Sequence, residues 1–164
     1  MTRVYIGVGS NIDRENSIRK GILALKTRFK DILLSPVYES AAVGFEGDDF
    51  YNLVAAFDTD ESIHDIESYL HEIEIKFGRS REGKTVSRKL DLDLLLYGDL
   101  IYKDKSISLP RKDILEYSFV LKPLADIAGD QLHPESGRSY QELWQEFDVT
   151  NKEIKQVGIL LDEE

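Results

Sequence analysis

Asp91 and Asp93 stand two residues apart in Leu90-Asp91-Leu92-Asp93-Leu94-Leu95-Leu96-Tyr97, an otherwise apolar run whose length and composition predict a strand. Side chains alternate across a strand, so the two carboxylates share one face with Cα atoms about 6.6–7 Å apart, while Leu90, Leu92, Leu94 and Leu96 share the other. Asp is disfavoured in strands, and an ionised carboxylate is costly to bury alone. The natural compensation is a hard divalent cation bound through oxygen, such as Mg²⁺. The plainer alternative is a strand with one wet face and two solvated Asp.

The preceding segment, 76–89, carries six Lys/Arg (Lys76, Arg79, Arg81, Lys84, Arg88, Lys89) against one acid, Glu82, in a chain whose net charge is −10. A basic island running into a carboxylate pair suits a polyphosphate that brings its own Mg²⁺. Guanidinium forks bind phosphate oxygens bidentately and the metal bridges the same oxygens. Taken alone, the charge run would be a solvated loop; beside the Asp pair, phosphate binding is the stronger reading.

Composition bounds the rest. At 164 residues, 41% hydrophobic and 32% charged, the chain is long enough for one core and is expected to form a single domain over 1–164. The lack of cysteine excludes disulfides, thiolate zinc sites and a cysteine nucleophile, and points to a reducing cytoplasm. The N-terminus, Met1-Thr2-Arg3-Val4-Tyr5-Ile6, lacks the apolar core of a signal peptide, and no apolar run reaches membrane-spanning length. Excess negative charge repels DNA and RNA, so neither nucleic acid nor membrane is an expected partner; small-molecule substrates and a monomer are.

The elements that must hold the Asp pair follow from hydrophobic period. Arg3 to Gly9 reads as a strand ending in a Gly7-Val8-Gly9-Ser10-Asn11 turn. Ile18, Ile22, Leu25 and Phe29 predict a helix over about 16–30, and Ile63, Ile66, Leu70, Ile73 and Phe77 a second, starting near Ser62 and stopped by Gly78. Between them lie an extended stretch over 32–40, with Pro36 marking an edge or bulge, a loop over 41–49, and a strand over 50–58. With the Asp strand this gives β-α-β-β-α-β: an α+β, ferredoxin-like core of antiparallel sheet and two helices. An appended C-terminal extension should hold a hairpin around 101–109, a helical turn after Pro110, short helices over 119–127 and 140–147, and a strand over 157–161.

Other features carry less. Gly7-x-Gly9 has no third glycine to complete a dinucleotide fingerprint and reads as a turn, and there is no P-loop. His64 and His71 lack a third ligand at metal spacing and read as solvated helix residues; His133 and the acids 162–164 are uninformative. Phe45, Phe50, Tyr51 and Asn52 could serve a flat heterocycle, by ring stacking and by the paired donor and acceptor of the carboxamide. Core aromatics beside a turn Asn would explain that segment equally well.

In this order, the metal pair, basic loop and aromatic-Asn segment closely resemble the 6-hydroxymethyl-7,8-dihydropterin pyrophosphokinases, enzymes of folate biosynthesis. The resemblance covers about residues 4–145. Its carriers are Tyr5-Ile6-Gly7-Val8-Gly9-Ser10-Asn11, Ser40-Ala41-Ala42-Val43-Gly44, Phe50-Tyr51-Asn52, Phe77-Gly78-Arg79-Ser80-Arg81, the specific R-x-L-D-L-D-x-x-x-x-G element from Arg88 to Gly98, and Ser118-Phe119-Val120-Leu121-Lys122-Pro123-Leu124. It implies a ferredoxin-like fold and transfer of the β,γ-pyrophosphoryl group of ATP to the pterin hydroxymethyl oxygen, releasing AMP. Asp91 and Asp93 would then hold two Mg²⁺, while Arg79 and Arg88 clamp phosphates and Arg81 assists. Phe50 and Phe119 would sandwich the pterin, with Asn52, Ser40, Ala41 and Val43 reading its edge. Glu74 matches a family acidic position near the nucleotide.

The chain departs from the family pattern at four places. Pro110-Arg111 replaces a common Pro-His, putting a guanidinium where an imidazole would contact ATP phosphate. Tyr117 stands where an Arg is usual and removes one phosphate ligand. Thr85-Val86-Ser87 lacks a common Trp and Pro in a shortened basic loop, and Phe50 replaces a frequent Tyr. These departures leave open a paralogue that binds pterin or nucleotide with little or no turnover. A protein–protein module on the same fold would instead tolerate loss of Asp91.

Overall fold

Apolar side chains fall on both faces of the sheet in this chain, and the architecture follows from covering each face separately. The computed structural model describes residues 1–42, 47–77, 90–148, 150, 153–159 and 161. In chain order the elements are β1 (Thr2–Ser10), α1 (Arg14–Arg28), β2 (Leu33–Leu34), β3 (Val37–Ser40), β4 (Phe50–Thr59), α2 (Ile63–Lys76), β5 (Asp91–Tyr97), β6 (Tyr102–Lys103), β7 (Ser108–Leu109), α3 (Asp113–Glu116), α4 (Ser118–Ala128), α5 (Tyr140–Glu146) and β8 (Lys155–Val157). The main sheet runs β5-β1-β4-β3-β8, with β2 also on β4, and all its pairings are antiparallel. The fold is therefore mixed α/β on an antiparallel sheet.

One sheet face is covered by α1 and α2. Val4, Ile6 and Val8 of β1, Leu53, Ala55 and Phe57 of β4, and Leu92 and Leu94 of β5 pack there with Ile18, Ile22, Leu25, Ile66, Leu70 and Ile73. Ser62 caps α2 by accepting from Asp65 N–H, and the Arg28–Glu61 ion pair at 2.6 Å joins the end of α1 to the approach of α2. On the opposite face, α4 and α5 cover only part of the sheet: Tyr5, Val54, Ala56, Leu95 and Leu96 meet Leu121, Leu124, Ala125 and Tyr140. No helix among the described residues is long and apolar enough to cross a membrane.

Three local expectations are corrected. The extended stretch over 32–40 divides into β2 and β3, because Pro36 has no N–H to give the ladder. Ser35 bridges the break, donating its N–H to Val54 O (2.9 Å) and accepting Val54 N–H on its hydroxyl (2.8 Å). Gly7 and Gly9 lie within β1 rather than in a turn. The leucine alternation of the Asp strand also breaks: Tyr5 pairs with Leu96 but Ile6 with Leu94, so Leu95 is an extra residue. Leu95 and Leu96 both pack on the α4/α5 face and Tyr97 returns to the α1/α2 face, so Leu96 does not share a face with Leu90, Leu92 and Leu94. The helices lie within a few residues of their expected bounds, and the last strand precedes its expected place, with Val157 opposite Val37.

The entry to β5 is held by close packing. Leu90 is fully buried, and a Cβ at Gly21 of α1 would lie 3.0 Å from its side-chain carbons, so α1 presses against the residue that precedes Asp91. Leu90→Ala is expected to cost about 2–5 kcal/mol by transfer and cavity terms; equilibrium urea denaturation measures it, and a loss under 1 kcal/mol would mean that α1 collapses onto the gap.

Candidate active site

The register of β1 against both neighbours sets the site. Gly7 lies opposite Asp93 and Gly9 opposite Asp91 on one side, while Gly9 lies opposite Asn52 and Gly7 opposite Val54 on the other. Directly opposed residues share a face, so the carboxylates and the carboxamide flank a β1 floor that carries no side chains. This face is the one that α4 and α5 leave partly uncovered. The resulting cleft has a volume of about 350 Å³ and is lined by Gly7, Gly9, Ser40, Ala41, Phe50, Asn52, Asp91, Asp93, Asp113, Tyr117 and Phe119, among others. That is enough for one flat heterocycle with a substituent.

At one end the cleft is aromatic and amide-bearing. A Cβ on Gly9 would fall 2.7 Å from Asn52 Oδ1, so glycine is what lets the Asn52 carboxamide lie across β1, where its Nδ2 donates to Ser40 Oγ at 3.0 Å. Phe50 lines the same end, as does Phe119, whose ring stacks on Tyr117 with centroids 5.0 Å apart and 18° between planes. Tyr117, where the family pattern has a cation, thus extends an aromatic wall. The approach to Phe50 is tied down from behind: Asn11 Nδ2 donates to Asp48 O (3.2 Å), and Arg14 donates to Asp49 O (3.0 Å), pairs with Glu39 (2.7 Å) and sits 3.8 Å over the Tyr51 ring.

The other end is acidic. Asp93 keeps 31% of its side-chain surface open to the cleft, yet lies deep among protein atoms. Burial first, and the neighbouring Asp91 charge second, raise its pKa well above the usual carboxylate range, with Glu74 and Asp113 adding to the rise. Arg111 works against this, its Nη2 3.5 Å from Asp93 Oδ1 and its Nε 3.2 Å from Asp113 Oδ2. Burial disfavours the Arg111 charge, but the two carboxylates outweigh it and raise its pKa. The bulge contributes here, since Leu95 O accepts the Arg111 N–H at 3.0 Å and so draws the segment after β7 onto β5.

These donors fit Mg²⁺. They are hard oxygens, they share a face, and they sit where negative charge is in excess, as the raised proton affinity of Asp93 records. Among the described residues no three His, Cys, Asp or Glu side chains converge to hold a metal, so most of the coordination shell would come from water and a ligand's own oxygens, as is usual for Mg²⁺ at phosphates.

Of the residues singled out from sequence, Ser40, Ala41, Phe50, Asn52, Asp91, Asp93 and Phe119 come together at the cleft, with Arg111 bonded to Asp93. Arg79, Arg81, Arg88 and Val43 lie outside the described residues. Glu74 is 1% exposed, and its Oε2 accepts Leu92 N–H at 2.8 Å. His71, read as solvated, is half exposed with Nδ1 3.4 Å from Glu74 Oε1, and His64 bonds Asp104 at 3.0 Å. Sequence reasoning missed Gly7 and Gly9 as cleft floor, and Asn11, Arg14 and Asp113. The i, i+2 glycine spacing, matching the i, i+2 aspartates, was the available signal.

The family model for 7,8-dihydro-6-hydroxymethylpterin-pyrophosphokinase (HPPK) matches residues 5–129. Curated proteins named 2-amino-4-hydroxy-6-hydroxymethyldihydropteridine pyrophosphokinase are similar throughout. That of Aquifex aeolicus is 33% identical, the match covering 82% of this chain and 85% of the relative, and that of Pseudomonas aeruginosa 34%, covering 86% and 89%. The Folic acid synthesis protein fol1 of Pneumocystis carinii is 35% identical over 94% of this chain, which spans only 21% of that longer protein. Among solved structures, wild-type Plasmodium falciparum HPPK-DHPS with SDX-DHP shares the fold, with a TM-score of 0.72 at 13% identity over 98% of this chain and 48% of that one.

The Asp93 environment has a consequence for stability. Its folded-state pKa is raised, so the native state binds the proton more tightly than the unfolded chain does, and stability falls as pH rises from the ordinary carboxylate range through the raised value. Asp93→Asn is therefore expected to melt higher than the parent at neutral and alkaline pH without divalent cations, with the gap closing in acid. Thermal melts across pH test this, and a variant less stable than its parent at pH 8 would contradict it.

Proposed function

The chain belongs to the 7,8-dihydro-6-hydroxymethylpterin-pyrophosphokinase family, and on that premise we propose that it transfers the β,γ-pyrophosphoryl group of ATP to the hydroxymethyl oxygen of 6-hydroxymethyl-7,8-dihydropterin, releasing AMP, in folate synthesis. The observation that carries the reading is the union in one cleft of an aromatic and carboxamide end with a carboxylate end. A heterocycle and a polyphosphate need those two environments side by side.

Phe50 and Phe119 flank the pterin, with Tyr117 backing Phe119. Asn52, held by Ser40, reads the heterocycle edge together with Ser40, Ala41 and Val43. Asp91 and Asp93 would hold two Mg²⁺, whose charge would neutralise the triphosphate when bound. Arg111 lies beside Asp93 and offers its guanidinium to phosphate in place of an imidazole. Arg79 and Arg88 clamp the transferred group and Arg81 supports them. No strong general base is needed, because alignment of the hydroxymethyl oxygen with the β-phosphorus and stabilisation of developing charge carry this kind of transfer. The frame is a ferredoxin-like core, β1-α1-β2/β3-β4-α2-β5, with the hairpin and helices after β5 appended as one domain over 1–164. The working form is a cytoplasmic monomer.

AMP release from ATP, Mg²⁺ and 6-hydroxymethyl-7,8-dihydropterin tests the proposal. Pterin-dependent AMP is expected from the parent, and Asp91→Ala/Asp93→Ala should lower kcat/KM by at least about 10²-fold, the scale for loss of a preorganised electrostatic element. A folded parent that binds pterin or nucleotide yet releases no AMP would favour the non-catalytic paralogue instead, with Arg111→His and Tyr117→Arg the substitutions that should restore turnover.

A further inference from the structure

We propose that Glu74 is a positioning residue for the Asp91/Asp93 pair, acting through the Leu92 backbone. Among the described residues β5 is the edge strand of the sheet, pairing with β1 alone. Backbone amides that face away from β1 therefore have no strand partner, and the Leu92 N–H, midway between the two aspartates, donates instead to Glu74 Oε2 at 2.8 Å. That bond pins the one peptide segment whose displacement would move both carboxylates at once.

The location of Glu74 argues that the bond is needed. It is 1% exposed and sits two residues before the end of α2, where the helix dipole disfavours an anion and burial penalises it further. It also adds negative charge beside an already acidic pair. A carboxylate is held against these costs by partners that constrain its geometry, and those among the described residues include Leu92 N–H on Oε2 and His71 Nδ1, 3.4 Å from Oε1. Among the described residues Glu74 does not line the cleft, and its bond to Leu92 N–H gives it a route to the chemistry through β5. The inference rests on the proposed function for what the Asp pair does, and on geometry alone for what Glu74 does to that pair.

Three substitutions separate the possibilities. Glu74→Gln keeps an acceptor within reach of Leu92 N–H; Glu74→Asp keeps the charge but withdraws the acceptor by one methylene; Glu74→Leu removes it. Amide hydrogen exchange at Leu92, Mn²⁺ affinity measured with the metal alone, and kcat and KM are read for each variant. Positioning predicts that Gln retains Leu92 protection and stays within about threefold of the parent kcat. Asp and Leu should lose Leu92 protection, bind Mn²⁺ more weakly and lose kcat by about tenfold or more with little change in pterin KM, since small misplacements of reacting groups act on the chemical step. If Leu does not fold, Asp decides the question. Gln as impaired as Leu, with weakened nucleotide binding, would overturn the proposal in favour of a direct nucleotide contact. Lower melting temperatures with Leu92 protection and kcat unchanged would overturn it in favour of a purely structural role. Should the parent release no AMP, the function reading fails, while exchange and Mn²⁺ binding still decide the role of Glu74.

Discussion

Antiparallel pairing of β1 with β4 and β5 places Gly9 between Asn52 and Asp91, and Gly7 between Val54 and Asp93. The rest of the site depends on this register. A shift of one residue would turn both carboxylates and the carboxamide into the α1/α2 core and bring leucines to the cleft. The penalty for that exchange is large because the other face is packed by Val4, Ile6, Val8, Leu92 and Leu94. The core thus specifies the site: burying one set of alternating residues fixes where the other set points.

A second constraint is electrostatic. Among the described residues the sheet end concentrates Asp91, Asp93, Asp113 and Glu74, and Arg111 partly offsets them, while the pKa of Asp93 stays raised. Such an arrangement is unfavourable in the free protein, and a bound cation would relieve it. The stability given up on folding would return as affinity for a cation-bearing ligand. Arg111 sits where it limits the excess without abolishing it, since it is shared between Asp93 and Asp113.

The bulge in β5 links the two halves of the molecule. By adding Leu95, it turns Leu95 and Leu96 together onto the α4/α5 face and offers Leu95 O to Arg111 N–H. The segment bearing Arg111, Tyr117 and Phe119 is thereby hung over the cleft. A solved structure that shares the fold at 13% identity shows that this architecture tolerates wide change in sequence.

Period and composition alone determined the element order, the two helix stripes, the antiparallel pairing and the shared face of Asp91 and Asp93, because each is set by local alternation and by which side chains avoid water. Motif resemblance pointed to the family and singled out Ser40, Asn52, Phe50 and Phe119, which the fold brings to one cleft. Tertiary structure alone decided the rest. Gly7 and Gly9 read as a turn because nothing local distinguishes a turn glycine from one whose missing Cβ makes room for Asn52 across a strand. Leu96 was assigned to the wrong face because a bulge depends on the partner strand, not on the run of leucines that contains it. The resemblance matched Glu74 to an acidic position near the nucleotide, and its bond to the Leu92 amide, eighteen residues away, was not legible, because only the packing of α2 against β5 creates that amide's need for an acceptor.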